Sequence, residues 1–381
     1  MSSRRVAAVD VFPVGIPLTR TFTFSSGSTG AAGDVAPHVF VRVTDSEGEV
    51  GWGEGRPIPS WGYETGATVA TTLRDHLAPA VIGMPIGDRW GMHDRMRRAI
   101  GLGPSTGAPV AKAALDVALH DLCARAAGMT LRSYLGGSDE RREIPLSWTV
   151  IEHDAAAAHA TVTEARAAGF RHFNFKVAVT RATDVAVAAA IRHAAGPEAF
   201  VWADANQGLA LHEARRLAHE LHEAGVDLLE QPFRADAPHL MRELRRNCPI
   251  ALAADESSVS PADFFRLAAE GVVDYLVVKV TRSGGLWPTL QQIAVAEAAG
   301  LELIVSGLTD SLVTKLAACQ AAVAFGCTAP AGLNGSQFLD DSALFPGKAE
   351  LEAGGTVRLP DVPGVGAAPD EAALVAARLD L

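Results

Sequence analysis

Phe-Val-Trp-Ala-Asp at 200–204, Val-Asp-Leu-Leu-Glu at 226–230, Ile-Ala-Leu-Ala-Ala-Asp at 250–255 and Asp-Tyr-Leu-Val-Val-Lys at 274–279 decide the fold. Each is a short apolar run closed by a charged residue. The closing positions, Asp204, Glu230, Asp255 and Lys279, recur every 24 to 26 residues. A polar residue at the end of a buried strand, repeated once per strand–helix unit, is how a parallel barrel gathers side chains at one mouth. Working outward, similar runs stand at 144–150, 171–177, 199–204, 227–230, 250–254, 275–280, 301–305 and about 328–333, separated by Ala-rich helical segments. Alternating strands and helices imply a parallel sheet, and a count near eight favours a closed barrel. The competing reading is a doubly wound open sheet, but no Gly-x-Gly-x-x-Gly follows its first strand.

Before residue 144 the pattern is different. Val6–Val14, His38–Thr44 and Val50–Gly53 alternate as strands of a meander, and Asp45-Ser46-Glu47-Gly48 is the turn between the last two. A Gly/Ser/Thr-rich loop over Thr21–Pro37 and a second, Gly/Pro-rich loop over Gly53–Thr65 are long enough to be functional. Helical patterning follows over Thr65–Val81 and Ala108–Ala127, and a Gly/Pro-rich tail with a short helix near Asp370–Leu379 ends the chain. The expected organisation is an N-terminal α+β capping domain over 1–130, joined by the returning tail 345–381, and a barrel over 131–344.

The 381 residues carry a net charge of −11, with no Lys/Arg cluster beyond short pieces such as Arg95–Arg98, so nucleic acid and acidic membrane surfaces are poor partners. No run reaches membrane-span length, and no long apolar stretch follows the N-terminal arginines. Cys123, Cys248, Cys319 and Cys327 lack Cys-x-x-Cys spacing and read as small core residues. The expected location is cytoplasmic.

Three carboxylates at one barrel mouth, Asp204, Glu230 and Asp255, make an all-oxygen site for a hard cation: Mg²⁺, with Mn²⁺ as the alternative. A single such Asp is more often a helix N-cap, but three in register, one of them a Glu that caps poorly, are not. Lys176 and Lys279 close the second and sixth strands, flanking the carboxylates. A lysine desolvated beside a cation can act as a base, whereas a lone strand-end lysine usually just snorkels. With a substrate carboxylate on the metal, one lysine removes the α-proton, the enediolate is stabilised electrostatically, and the other lysine returns a proton or assists a leaving group. The histidines fall at helical or pre-strand positions, and no Ser-His-Asp arrangement is apparent.

The order Lys176, Asp204-x-Asn206, Glu230-Gln231-Pro232, Asp255-Glu256-Ser257, Lys279 resembles the enolase superfamily, specifically the muconate lactonizing enzyme subgroup of the mandelate racemase/muconate lactonizing enzyme family. The resemblance covers nearly the whole chain. It implies a modified TIM barrel of (β/α)7β type under an α+β cap. It also implies Mg²⁺ on Asp204, Glu230 and Asp255, an acid/base pair in Lys176 and Lys279, loops 21–37 and 53–61 closing over the substrate, and a homo-oligomer (dimer or octamer). Two departures stand out. The subgroup usually has Lys-x-Lys at the second strand, where this chain has Asn174 and Lys176; the missing cation leaves Lys176 to titrate higher and makes Lys279 the stronger base. Dipeptide epimerases of the subgroup resemble one another in an Asp-x-Asp on the eighth strand, where this chain has Gly332-Leu333-Asn334.

Asp310 is therefore a candidate for a substrate ammonium or, equally, a cap of the helix beginning at Ser311. Asn334 is a substrate hydrogen-bond donor or a turn residue. Trp61, with Tyr63 and Phe24, is expected to wall the pocket, and Arg56 either meets a second anionic group or is solvated. The expected activity is a Mg²⁺-dependent isomerase of a small carboxylate: a racemase or epimerase of an N-substituted amino acid, or a muconate-type cycloisomerase. A lyase dehydrating a β-hydroxy acid and a non-catalytic binding relative are the alternatives.

Overall fold

The computed structural model describes residues 4–25, 27–102 and 106–381. β1 (Val6–Pro17), β4 (Val35–Asp45) and β5 (Val50–Gly55) form an antiparallel sheet in the order β1-β4-β5. The turn between β4 and β5 is set by Asp45, whose Oδ1 accepts from the amides of Glu47 and Glu49, both at 2.9 Å, and by Gly48 at φ 88°. The helix Pro109–Ala126 lies against this sheet and is buried on nearly every side. Its close approach requires glycine on β5: a Cβ on Gly53 would stand 2.0 Å from the Ala114 carbonyl oxygen, and one on Gly51 2.3 Å from that of Ala118.

The loop expected over Thr21–Pro37 is not structureless. Phe22–Phe24 (β2) and Gly27–Gly30 (β3) pair as a small antiparallel hairpin, a pairing that Gly/Ser/Thr composition hid. The helix expected over Thr65–Val81 forms with a π-helical stretch at Leu73–Leu77, and a helix Arg89–Ala99 follows that the sequence did not announce.

A seven-stranded parallel sheet follows, in the order β13-β12-β11-β10-β9-β8-β7. Its strands are β7 (Ser147–Val150), β8 (His172–Lys176), β9 (Val201–Asp204), β10 (Leu228–Glu230), β11 (Ala251–Ala254), β12 (Tyr275–Lys279) and β13 (Glu302–Ser306). The first expected strand, 144–150, is split. Its start, β6 (Glu143–Pro145), pairs instead with the tail strand β15 (Thr356–Arg358), which also pairs with β14 (Glu352–Ala353). The eighth expected strand, near 328–333, makes only two parallel bridges, Leu146↔Ala331 and Ser306↔Gly332, which join β7 to β13 and close the ring. Pro330 has no N–H to give a ladder, so this segment closes the barrel without becoming a regular strand. The fold is the modified TIM barrel with an N-terminal cap.

The two-residue side-chain period of a strand then sorts the barrel into layers. Trp202, Leu228, Ala253, Val277 and Ile304 pack together inside the ring. The alternate residues Phe173, Phe175, Ala203, Leu229, Ala254 and Val278 belong to the outer core beneath the helices. One step beyond the inner layer come Lys176, Asp204, Glu230, Asp255, Lys279 and Ser306. Lys176 pairs with Asp204 in register, Asp204 with Glu230, and Lys279 with Ser306.

The cap is fixed to the barrel by buried charge. Glu54 of β5 accepts from the Ser311 amide at 2.9 Å and the Thr314 amide at 3.4 Å, at the N-terminus of the helix Leu312–Ala324, where the helix dipole favours an anion. His38 Nδ1 stands 2.6 Å from Glu54 Oε1. All four cysteines are free. Among the described residues no helix is long and apolar enough to cross a membrane.

Candidate active site at the barrel mouth

The layer above the apolar interior places Lys176, Asp204, Glu230, Asp255 and Lys279 on five adjacent strand ends. Lys176 Nζ lies 2.6 Å from Asp204 Oδ2, and Lys279 Nζ lies 2.7 Å from Asp255 Oδ2. Arg282, on the helical turn Val280–Ser283 that follows β12, takes the other Asp255 oxygen at 2.5 Å. Glu230 stands between the two flanking carboxylates and makes no ion pair among the described residues. Burial, then repulsion from Asp204 and Asp255, pushes its carboxyl well above the usual range. Burial would raise Asp255 too, but Arg282 and Lys279 outweigh it and hold that carboxyl low. For Lys176, burial disfavours the ammonium, yet Asp204 and Glu230 outweigh it and hold the group above the ordinary lysine value.

Among the described residues no three Asp, Glu, His or Cys side chains converge, as placed, into a ready ligand set. The cause is visible: both outer carboxylates are turned to lysine and arginine. The donor set nevertheless fits a hard cation in charge and in ligand type, because Glu230 is a buried carboxylate pressed between two others with no cationic partner of its own.

The loops after these strands are held in sparsely populated backbone. Ala178, Asn206, Gln207, Gln231 and Thr309 have φ of 75°, 38°, 69°, 36° and 56°, so five of the six described non-glycine residues with positive φ lie at this mouth. Gln231 is buried, and its Oε1 accepts from the Asp255 amide (2.9 Å), the Ser257 amide (3.2 Å) and the Ser257 hydroxyl (2.8 Å). Asn206 donates from its backbone to Asp204 Oδ1 at 2.8 Å and from its side chain to Glu256 at 3.1 Å. Burial and the neighbouring Asp255 push Glu256 up to about 7.

Two loops of the cap cover the mouth. Lys279 Nζ sits 4.6 Å from the centre of the Trp61 ring, and Lys176 Nζ lies 5.4 Å from that of Phe22. Phe24, Asn174 and Asn334 also line the cavity, which measures about 60 Å³ in this conformation, so the loops lie close over the strand ends. Asn174 Nδ2 bonds Ser147 Oγ at 2.7 Å and Asn334 Nδ2 bonds Thr149 Oγ1 at 3.0 Å.

Three readings are redirected. Asp310 does not line this cavity; it accepts from Thr281 at 2.8 Å and from the Leu308 amide at 2.9 Å, behind the wall. Tyr63 does not line this cavity; its hydroxyl accepts from the Ala108 amide at 3.0 Å. Arg56 is neither solvated nor facing the cavity. It is buried, bonded to the Pro37 and Thr29 carbonyls at 3.4 Å, and burial lowers it to about 10. Arg282 and Gln231 were not singled out. Arg282 stands three residues after Lys279, one helical turn on, which was the signal available for it.

A ring of parallel strands with lysines and carboxylates gathered at its C-terminal mouth under a separate cap is the active-site architecture of a barrel enzyme. The pattern described as "Mandelate racemase / muconate lactonizing enzyme, N-terminal domain" matches residues 8–136, and "Enolase C-terminal domain-like" matches 156–373. The chloromuconate cycloisomerase CbnB of Cupriavidus necator is 35% identical over 322 residues, 82% of this chain and 83% of that protein. The crystal structure of muconate lactonizing enzyme from Pseudomonas fluorescens complexed with muconolactone superposes with a TM-score of 0.89 at 25% identity, over 99% of this chain and 100% of that one. The dipeptide epimerase of Enterococcus faecalis V583, complexed with Mg and L-Leu-L-Tyr, gives 0.87 at 26% identity, over 96% and 99%. The chain belongs to the enolase superfamily, in its muconate lactonizing enzyme subgroup, and is an isomerase of that superfamily.

Proposed function

We propose that the protein is a Mg²⁺-dependent isomerase that removes the α-proton of a small carboxylate substrate. The observation that carries this reading is the row Lys176–Asp204–Glu230–Asp255–Lys279, with one lysine at each end of three adjacent carboxylates. Asp204, Glu230 and Asp255 are assigned to the cation. When bound, Mg²⁺ (or Mn²⁺) supplies positive charge against the negative charge that develops on the substrate carboxylate. Lys176 and Lys279 approach the α-carbon from opposite sides; one takes the proton as a neutral amine and the other donates as an ammonium. Trp61 and Phe22, closed over the lysines, exclude water from the proton being moved. Asn174, Trp61 and Asn334 line the substrate's place. Asp310 is better read as a support for the 307–310 loop.

Two isomerisations pass through the same enediolate. In racemisation or epimerisation of an N-substituted amino acid, a lysine removes the α-proton. In cycloisomerisation of the muconate type, a carboxylate oxygen adds to the double bond and a lysine delivers a proton to the α-carbon, the same transfer in reverse. The named relatives include both a cycloisomerase and an epimerase. Proton exchange tests the common step. In deuterated water with Mg²⁺, the wild type is expected to exchange the α-hydrogen of N-acyl amino acids or to convert cis,cis-muconate. Lys176→Ala and Lys279→Ala should each lose at least about 100-fold in turnover, and chelation of the metal should abolish it. Unchanged turnover in Lys279→Ala, or turnover indifferent to chelator, would overturn the reading.

A further inference from the structure

The charges on the cavity wall are confined to one arc. Lys176, Asp204, Glu230 and Lys279, at the ends of β8, β9, β10 and β12, are the only ionisable side chains lining it among the described residues. The rest of the wall away from the cap runs from β7 and the inner position of β8, through the closing segment 331–334, to β13 and its loop. It presents Thr149, Asn174, Ser306, Thr309 and Asn334. None of these carries charge, and all can hydrogen-bond.

Their bonding leaves definite capacity toward the cavity. Asn334 Nδ2 is committed to Thr149 Oγ1 at 3.0 Å and Asn174 Nδ2 to Ser147 Oγ at 2.7 Å. The Oδ1 atoms of both asparagines have no protein partner among the described residues, each amide keeps a second N–H, and the Thr149 hydroxyl keeps its own proton to donate. The arc is rigidly backed: Gln337 accepts from the Thr149 amide at 3.0 Å and donates to its carbonyl at 3.2 Å, so Thr149 and Asn334 are fixed from the same short helix, Gly335–Phe338. Asp310 and Arg56 do not line the cavity. Asp310 is tied to Thr281 and the Leu308 amide, and Arg56 to backbone carbonyls.

The geometry points to a substrate whose end distal to the reacting carboxylate is uncharged and hydrogen-bonding, such as an amide or a hydroxyl, with Asn174, Asn334 and Thr149 as its recognition groups. A second carboxylate or a free ammonium at that end would be desolvated against neutral groups, with no counter-charge to meet it. This rests on the reading above, in which the reacting carboxylate lies over Asp204, Glu230 and Asp255. Within that reading it favours an N-acylated amino acid over a dicarboxylate.

The test is calorimetric titration of the full chain with Mg²⁺, using three probes of similar length: N-acetylglycine, glycylglycine and glutarate. The α-hydrogen exchange of each in deuterated water is followed in parallel. N-acetylglycine is expected to bind at least about 10-fold more tightly than either charged probe. In Asn334→Asp, which preserves shape, the ranking should shift toward glycylglycine by a similar factor. Equal or tighter binding of glycylglycine or glutarate to the wild type overturns the proposal, as does binding of none of the three, or an unaltered ranking in Asn334→Asp. Exchange without charge preference would sink this inference and leave the proposed function standing. The expected ranking without exchange of any probe would do the reverse.

Discussion

Gln231 holds two of the proposed metal-site elements in register. Its φ of 36° costs about 1–3 kcal/mol for a side chain of its size, and the return is one carbonyl oxygen that receives three donors around Asp255. Gln231→Leu leaves those donors without an acceptor in a dry site, where each unmade bond costs about 1–3 kcal/mol. A loss of about 3 kcal/mol in urea unfolding is expected, together with Mg²⁺ affinity weakened about 10- to 100-fold in direct titration. A loss below about 0.5 kcal/mol would mean that Asp255 is held by other means. At this scale much was legible in the sequence. The two-residue period of each strand, carried one step beyond Trp202, Leu228, Ala253 and Val277, brings Asp204, Glu230, Asp255 and Lys279 into one layer. Arg282 was not legible because it reaches Asp255 from a helical turn, where no strand period applies. Asp310 and Arg56 were misplaced because a charged residue in a loop gives no sign of whether it faces the cavity or the wall behind it.

Among the elements, β5 and the helix Pro109–Ala126 are packed backbone to backbone through Gly51 and Gly53. Gly53→Ala forces a Cβ onto the Ala114 carbonyl and is expected to cost at least about 2 kcal/mol. Gly87→Ala has open space and no positive φ, so it should be neutral or stabilising by up to about 1 kcal/mol. Thermal melts of the two variants side by side check this, and equal melting temperatures would count against the close-packing account. The regular strands and the helix over 109–126 followed from periodicity. The hairpin β2–β3 did not, because it is built of Gly, Ser and Thr; the closing segment was expected as a strand near 328–333, but its proline reduces it to two bridges. In both, tertiary contacts override weak local preference.

For the molecule as a whole, the joint between cap and barrel sets an acid limit. His38 is buried, and burial outweighs Glu54 to hold its imidazole below the ordinary histidine range. The unfolded chain therefore binds a proton near pH 6.5 that the folded chain refuses, and stability present above about pH 6.5 is lost as the pH falls toward the folded value. Asp310 works the other way: burial and Glu54 push it up to about 6, so folding takes up a proton there. The difference between wild type and His38→Asn isolates the histidine. Below pH 6.5 the wild type should lose up to about 1.4 kcal/mol per pH unit relative to the variant. Parallel pH profiles of the two proteins in urea unfolding would contradict this.

The last helix, Glu371–Ala376, leads into residues whose backbone bonds the first strand: the Gly15 amide donates to the Ala377 carbonyl at 2.8 Å and the Leu379 amide to that of Pro13 at 2.9 Å. β1 is an edge strand of the cap sheet, so these bonds cover part of an otherwise open edge. Roughly 360 positions separate the partners, and at about 5–20 residues per second the ribosome needs on the order of a minute to supply the second after the first. During that interval the growing chain carries a β1 edge without these bonds, and an uncovered edge is a template for pairing with another chain.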